Sequence, residues 1–188
     1  MSKLTQISNK YKKEADKLII KTNLAHDLKK YGEVHFAGAY SANLMMHGDV
    51  DITVVKNRSY SISEVFKIFK TLYYGGKFRS YFIKGDWEDP RMGDEFPNGY
   101  YVGLKAKVNG EKWKFDIWFV SKKEFEERNK SFSIDRFNLT NKQRELILTF
   151  KKYRKDNKLS ISGQTIYKAV LEGSCKTTRD LNKYLNKK

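Results

Sequence analysis

The sequence has little cysteine, little proline and no long apolar run. Cys175 is the single cysteine, so no internal disulfide can form, and no second cysteine or nearby histidine completes a zinc-ligand spacing. An apolar run of about 18 residues is absent, which excludes a membrane-spanning helix. Residues 1–22 are polar and amphipathic rather than a secretory leader. We therefore expect a cytoplasmic protein without a membrane partner.

Positive charge, in contrast, is abundant. The chain has 38 Lys and Arg against 22 Asp and Glu, a net charge of +16, which favours an anionic partner such as nucleic acid, a nucleotide or an acidic surface. A lysine-rich surface that serves solubility explains the charge equally well. Hydrophobic residues make up 39% of the 188 residues, enough for one compact domain, with or without a helical appendage.

The first third of the chain alternates helical and strand patterns. Apolar residues recur at three- and four-residue steps over 8–30, with an interruption at Thr22-Asn23, which predicts one helix or two. Residues 34–37 then predict a strand, 40–46 a short helix, and 50–55 a second strand rich in β-branched residues. The order is strand, short helix, strand.

The middle of the chain contains another helix, a loop and a hairpin. Ser61 caps a helix that Gly75-Gly76 would end, and a strand is expected near 77–83. Residues 86–98 contain both prolines and predict an exposed loop of functional size. Two strand patterns then flank Asn109-Gly110, a dipeptide that accepts positive φ in a type I′ turn; they cover 100–108 and 112–120.

The pattern after residue 120 is helical to the end of the chain. Helix starts are expected at four capping residues: Ser121, Thr140, Ser162 and Thr177. We therefore divide the chain into a core with an N-terminal helix, residues 1–120, and a helical region, residues 121–188.

Two carboxylates share one face of the second predicted strand. Side chains alternate along a strand, so Asp49 and Asp51 project the same way while Val50 and Ile52 project the other way. Two acids on one face repel, and each raises the pKa of the other, until a divalent cation neutralises them. This pattern indicates a metal site.

A third carboxylate, Asp116, lies among aromatic and apolar residues of the second hairpin strand. An unpaired carboxylate is unfavourable in such surroundings. If this strand lies beside residues 50–55, the three acids form one oxygen-rich site suited to Mg²⁺ or Mn²⁺.

A glycine at the join of the first strand and the short helix suits a phosphate. Gly38 lets the backbone approach a phosphate closely, and the following N–H groups can donate to it. Ser41, or less favourably Tyr40, could add a hydroxyl.

Three segments carry a resemblance to a known family: AGAYS at 37–41, GDVDI at 48–52 and FDIW at 115–118. Together they resemble the signature of the DNA polymerase β-like nucleotidyltransferases, including the separation 49 − 38 = 11 between Gly38 and Asp49. Small size and a lone hairpin make the chain more similar to the bacterial antibiotic-type or minimal members than to polymerases.

The resemblance implies an α+β fold, with a small twisted mixed sheet flanked by helices and followed by a helical C-terminal region. It also implies that Asp49, Asp51 and Asp116 bind metal and that Gly38 holds the triphosphate. Ala39 departs from the Ser or Gly usual in the family, so one phosphate hydrogen bond would come from the backbone or from Ser41.

The activity implied is the transfer of a nucleoside monophosphate, AMP from ATP, to a hydroxyl acceptor with release of pyrophosphate. The acceptor is a small molecule by preference, with RNA or a protein as alternatives. Two other functions stay open: a catalytically weak or inactive protein of this fold that binds nucleic acid, and an Asp-x-Asp glycosyltransferase, which fits less well.

Other conspicuous residues are given structural interpretations. Four aromatic residues of the hairpin strands are interpreted as core or cross-strand residues rather than base-stacking platforms: Trp113, Trp118, Tyr100 and Tyr101. His47, a lone loop histidine, is interpreted as solvated rather than as a ligand.

The helix that starts near Thr140 has an apolar side and a basic side. The basic side contains Arg144, Lys151, Arg154 and Lys155. A solvated face is slightly favoured for it over a clamp for an anion.

Overall fold

The computed structural model describes residues 2–74, 78, 80–84, 96–130 and 132–186. The strands in these ranges are β1 (Glu33–Ala37), β2 (Gly48–Lys56), β3 (Ser80–Lys84), β4 (Gly99–Val108) and β5 (Glu111–Ser121). The helices are α1 (Lys3–Thr22), α2 (Leu24–Lys29), α3 (Gly38–Ser41), α4 (Ile62–Tyr74), α5 (Lys122–Lys130), α6 (Asn141–Asp156), α7 (Gly163–Leu171) and α8 (Thr178–Leu185). A short 3₁₀ turn covers Ile134–Arg136.

The described strands form one mixed sheet in the order β1-β2-β5-β4-β3. β2 and β5 are parallel neighbours, whereas the other pairs are antiparallel. The parallel register sets Asp51 opposite Asp116 and Asp49 opposite Lys114. An α+β fold with a mixed sheet flanked by helices is therefore confirmed.

Two apolar clusters position the helices around this sheet. The first packs α1, α2 and α4 against the sheet face that carries Val50, Ile52 and Phe115. The second joins α6, α7 and α8 around Phe150 and includes Leu44, which follows α3. Because α6 and α7 pack against the chain between α3 and β2, they lie near the beginning of β2, the strand that carries the acids.

The predicted break in the N-terminal helix is confirmed, whereas the short helix differs from its predicted bounds. Asn23 adopts a left-handed conformation with φ 57° and separates α1 from α2. α3 begins at Gly38 and ends at Ser41, not over 40–46. Carbonyls beyond α3 accept hydrogen bonds from other elements, since Ser8 Oγ donates to Asn43 O at 2.9 Å and Lys151 Nζ to Leu44 O at 2.7 Å. Asn43, with φ 52°, ends the helical path, and these tertiary contacts bind the carbonyls beyond it.

The hairpin and the C-terminal helix starts agree with expectation. Asn109 and Gly110 have φ values of 50° and 82°, as a type I′ turn requires. Thr140 and Thr177 form capping boxes, and Ser162 caps α7. The chain follows the predicted pattern here because the signals are local.

Some predictions fall on residues that are not described. The helix end at Gly75-Gly76 and residues 86–95 of the predicted loop lie outside the described residues, and the strand expected near 77–83 is described only as Ser80–Lys84. No helix in the described part of the chain combines the length and the apolar character needed to cross a membrane.

Candidate active site

The paired acids of β2 lie on the face of the sheet opposite the core. Val50 and Ile52 are fully buried in the first apolar cluster, so the alternation of the strand turns Asp49 and Asp51 to the other face. The predicted neighbour relation with Asp116 is confirmed, because β5 pairs directly with β2. Three carboxylates from two adjacent strands thus share one region of the sheet.

This concentration of negative charge is electrostatically unfavourable without a cation. Burial raises the pKa of Asp51 to about 7, and the carboxylates of Asp49 and Asp116 add to the rise. The pKa of Asp49 is also raised, by burial and then by Asp116. Among the described residues, the buried Oδ1 of Asp49 has no hydrogen-bond partner. An orphaned carboxylate oxygen beside a second acid fits a hard divalent cation.

Asp116 differs from the other two acids because its oxygens are already engaged. The hydroxyl of Tyr101 donates to one oxygen, and Lys114 Nζ lies 2.5 Å from the other. In the described part of the chain, no three His, Cys, Asp or Glu side chains are assembled as a metal-binding group. A carboxylate oxygen can accept more than one partner, so a metal-binding role for Asp116 stays a prediction.

Gly38 has a conformation and a position that only glycine fits. Its φ is +66°, and a Cβ at this residue would lie 2.6 Å from Oδ2 of Asp51. Any side chain here would displace that carboxylate. The predicted proximity of the glycine turn to the acids is therefore observed.

The two predicted phosphate donors contact a different anion. Asp135, from the turn before α6, accepts a hydrogen bond from the Gly38 N–H at 3.4 Å and another from the Ser41 hydroxyl. Ser41 Oγ also lies 3.1 Å from Gly38 O. The turn thus presents an N–H and a hydroxyl to one carboxylate, and a phosphate role for Gly38 and Ser41 stays a prediction.

α6 and α7 provide the opposite wall of a cavity of about 300 Å³ that is lined by Gly38, Asp49 and Asp51. Lys151, only 6% exposed, donates from Nζ to Leu44 O at 2.7 Å and lies 3.3 Å from the Tyr167 hydroxyl. Burial lowers the pKa of Lys151 to about 8, and Arg154 lowers it further, whereas the two acids oppose this shift.

The predicted solvated face of α6 is therefore wrong for Lys151. Its neighbours one turn earlier, Ile147 and Leu148, are buried and apolar, and this spacing was the signal that Lys151 faces inward. Arg154 also lines the cavity, whereas Lys155 is exposed. The basic side of the helix is thus partly a wall of the site.

The structural interpretations of the aromatic residues are confirmed. Trp113 is buried in the core, and Tyr101 and Trp118 form a cross-strand ring pair with centroids 5.2 Å apart. His47 is exposed, as its interpretation as a solvated loop residue requires. Its side chain also lines the cavity of the acids, and partial desolvation there lowers its pKa.

Comparison with known proteins finds likeness in structure only. No family model matches the sequence, and a search of the curated proteins gives no match either. Among solved structures, the Cid1 poly(U) polymerase bound to Mg and 3′-dATP matches with a TM-score of 0.57 and 13% identity, over 89% of this chain and 52% of that chain.

Two complexes of GLD-2 match similarly. The GLD-2–GLD-3 complex, described as a non-canonical poly(A) polymerase, has a TM-score of 0.54 and 13% identity, over 91% of this chain and 58% of that chain. The GLD-2/RNP-8 complex has a TM-score of 0.54 and 12% identity, with 89% and 60% covered. This chain thus spans between about half and three-fifths of the length of those chains.

The likeness confirms, at the level of the fold, the resemblance carried by the three segments of the sequence. The chain shares its fold with these poly(U) and poly(A) polymerase structures.

Proposed function

We propose that this chain, which has a nucleotidyltransferase fold, is a metal-dependent nucleotidyltransferase that moves AMP from ATP to a hydroxyl acceptor. The observation that carries the proposal is the Asp49–Asp51 pair, with its orphaned buried oxygen, at a cavity whose opposite wall carries Lys151 and Arg154. The cavity is thus lined both by acids that can bind a metal ion and by basic side chains that can bind phosphates. We also propose that residues 1–120 contain this catalytic core and that residues 121–188 close over it.

Asp49 and Asp51 would hold Mg²⁺ or Mn²⁺, and Asp116 would complete the site. The bound cation supplies charge neutralisation for the triphosphate and for the leaving pyrophosphate. The raised pKa of Asp51 is consistent with this role, because a neighbouring cation would stabilise the charged form of a carboxylate that is buried beside other acids.

The chain's own residues would position the triphosphate on the other side. Lys151 and Arg154 would donate to its oxygens from α6, while the Gly38 N–H and the Ser41 hydroxyl would donate from the turn after β1. Asp135 would then yield these two donors to the phosphate, because two anions repel at one set of donors.

The reaction is an in-line displacement at the α-phosphorus. A bond forms between the acceptor oxygen and phosphorus, the α–β phosphoanhydride bond breaks, and pyrophosphate leaves with the electron pair. Asp116 would accept the hydroxyl proton and pass it to solvent. Tyr101 and Lys114, which contact both oxygens of this carboxylate, would hold it in place.

The identity of the donor nucleotide rests on the family resemblance. The similar Cid1 structure contains 3′-dATP, although Cid1 is a poly(U) polymerase with selectivity for UTP. All four nucleoside triphosphates therefore belong in the test.

The test is transfer of α-phosphate label from each triphosphate, with Mg²⁺, to three acceptor types: an oligonucleotide, an aminoglycoside and a protein. We expect one nucleotide to label one acceptor type with stoichiometric pyrophosphate release, and Asp51→Asn to abolish it. Asp156→Asn, an exposed acid of α6 paired with Lys152, should retain full transfer. The proposal would be contradicted if no nucleotide gave either a labelled acceptor or pyrophosphate.

A non-enzymatic role in nucleic-acid binding is the second candidate, and the net charge of +16 favours it. Nucleic-acid binding that persists in Asp49→Ala/Asp51→Ala, without metal-dependent nucleotide binding by the wild type, would support this candidate. The glycosyltransferase alternative loses support, because the fold is that of nucleotidyltransferases.

A further inference from the structure

Four lysines of the β4–β5 hairpin stand in two directly opposed cross-strand pairs. Lys105 lies opposite Lys114, and Lys107 lies opposite Lys112. All four are exposed, and we refer to them as the lysine ladder. Strand alternation sets them on the face of Asp116, which Lys114 contacts.

This arrangement is unfavourable for the isolated hairpin. Like charges directly opposite on neighbouring strands destabilise a sheet. Within the described residues, Lys114 is the one member of the ladder with a carboxylate partner, Asp116. A bound anion would neutralise these lysines and remove the repulsion between them across the hairpin, so anion binding is especially favourable here.

The ladder begins beside the acids and extends away from them along the hairpin. Lys114 lies opposite Asp49 on β2, and a groove of about 540 Å³ is lined by the ladder together with His47 and Asp49. From Asp116 to Lys112 the strand covers four residues, or about 13 Å. A small acceptor bound at Asp116 would not reach Lys107 and Lys112, whereas a polymer would.

The repeat along each strand suits a polymer with regularly spaced charges. Successive lysines of the ladder are two residues apart, about 7 Å. On the other side of Asp116 the same face carries the cross-strand ring pair of Tyr101 and Trp118, with Phe96 stacked on Trp118. The binding residues of this groove are therefore its lysines, which suit the phosphates of a single-stranded nucleic acid.

We propose that the lysine ladder binds the phosphate backbone of a single-stranded nucleic acid and directs its terminal hydroxyl to Asp116. The inference rests on the proposed function, because it names the acceptor of that reaction. The triphosphate occupies the α6 side of the acids, and the acceptor strand occupies the hairpin side.

The test uses the full chain and a 5′-fluorescent single-stranded oligonucleotide, with binding measured by anisotropy at several salt concentrations and without nucleotide or metal. Lys107→Gln/Lys112→Gln removes the pair farthest from the acids. We expect about tenfold weaker binding, and a log-log salt dependence shallower by about 1.4, since each lost phosphate contact on a single strand contributes about 0.7. In the transfer reaction, the same variant should raise the acceptor KM and preserve kcat.

The matched control is Lys13→Gln/Lys17→Gln on α1, two exposed lysines whose replacement lowers the net charge by the same amount. It should bind with wild-type affinity and salt dependence. Thermal unfolding of both variants checks that they fold. Equal salt dependence for the ladder variant and the control would overturn the inference.

Two further results separate the possible partners. Polyglutamate that binds as tightly as the oligonucleotide, with the same dependence on the ladder, would overturn the nucleic acid in favour of an acidic protein. Ladder-independent oligonucleotide binding together with Mg²⁺-dependent nucleotide binding would overturn this inference alone. Oligonucleotide binding that depends on the ladder, together with no metal-dependent nucleotide binding, would instead contradict the proposed reaction. It would therefore also contradict the role of the single strand as the acceptor.

Discussion

The two sides of the carboxylate site are built differently. On the α6 side, Lys151 is buried and bonded to Leu44 O, while Gly38 leaves no room for a side chain beside Asp51. On the hairpin side, the lysine ladder is exposed, and a Cβ at Gly110 would meet no atom within 4 Å. On the α6 side the charged groups are packed within the protein, whereas on the hairpin side the lysines are exposed to solvent.

This difference in burial separates residues whose replacement disturbs the fold from residues whose replacement leaves it intact. A buried lysine must be compensated within the protein, so its removal disturbs both the fold and the acids. An exposed lysine is compensated by water and salt, so its removal changes binding and leaves the fold almost unaffected. Substitutions matched across the two sides can test this separation.

The largest difference is expected between two glycines of positive φ. Alanine at either position pays about 1–2 kcal/mol of backbone strain, but at Gly38 its Cβ would also displace the Asp51 carboxylate. We expect Gly38→Ala to lower the transfer rate about a hundredfold, as misplacement by about 1 Å can do, and Gly110→Ala to retain it. Chemical denaturation and transfer kinetics on both variants provide the measurement. Equal rates for the two would refute a positional role for Gly38.

A second prediction concerns the pH dependence of stability. The pKa of Lys151 is about 8 in the folded protein, below the ordinary 10.5. Below about pH 8 the side chain is protonated in both states, and the folded state bears a buried charge. As the pH rises from about 8 to 10.5, the folded protein loses this proton before the unfolded chain does, so stability rises.

Lys151→Met lacks this titration. We expect the free energy of unfolding of the wild type to increase over that pH range relative to the variant, by at most about 3 kcal/mol. Denaturant titrations at matched pH measure the difference. A Lys151→Met variant whose stability changes with pH in parallel with the wild type would contradict the buried placement of Lys151.

The smallest effect is expected at Asp135. Its carboxylate accepts hydrogen bonds from the Gly38 N–H and the Ser41 hydroxyl. These are the two donors proposed for a phosphate, so Asp135 would compete with that phosphate for them. We expect Asp135→Asn to tighten Mg²⁺–triphosphate binding about fivefold, corresponding to roughly 1 kcal/mol of relieved repulsion. Asp156→Asn is the control in the same titration. Weaker binding by Asp135→Asn would show that this carboxylate supports the site instead.

The sequence predicted the elements whose signals are local. The alternation of Asp49 and Asp51 with Val50 and Ile52 follows from strand geometry, and Asn109-Gly110 specifies its turn wherever it lies. The sequence also predicted that Asp116 lies beside the acids of β2. Residue spacing alone left this dependent on the pairing of the two strands, and the family resemblance supplied that pairing.

The remaining features depend on contacts between distant parts of the chain. Asn43 ends the helical path after α3 in a left-handed conformation with φ 52°. The carbonyls that follow the helix bind Ser8 and Lys151 from distant elements, and no local pattern contains those contacts. Lys151 faces inward with its buried neighbours Ile147 and Leu148, although its charge predicts a solvated position. Asp135 lies in a polar turn and is exposed, so nothing in the sequence connects it with Gly38.

The most direct measurement is calorimetric titration of each nucleoside triphosphate into the wild type and Asp51→Asn, with and without Mg²⁺. It requires no knowledge of the acceptor. We predict that the wild type binds at least one triphosphate in a Mg²⁺-dependent manner and that Asp51→Asn, which keeps the shape of the side chain but not its charge, loses this dependence. Absence of metal-dependent binding for all four nucleotides would contradict a metal-triphosphate site at these acids.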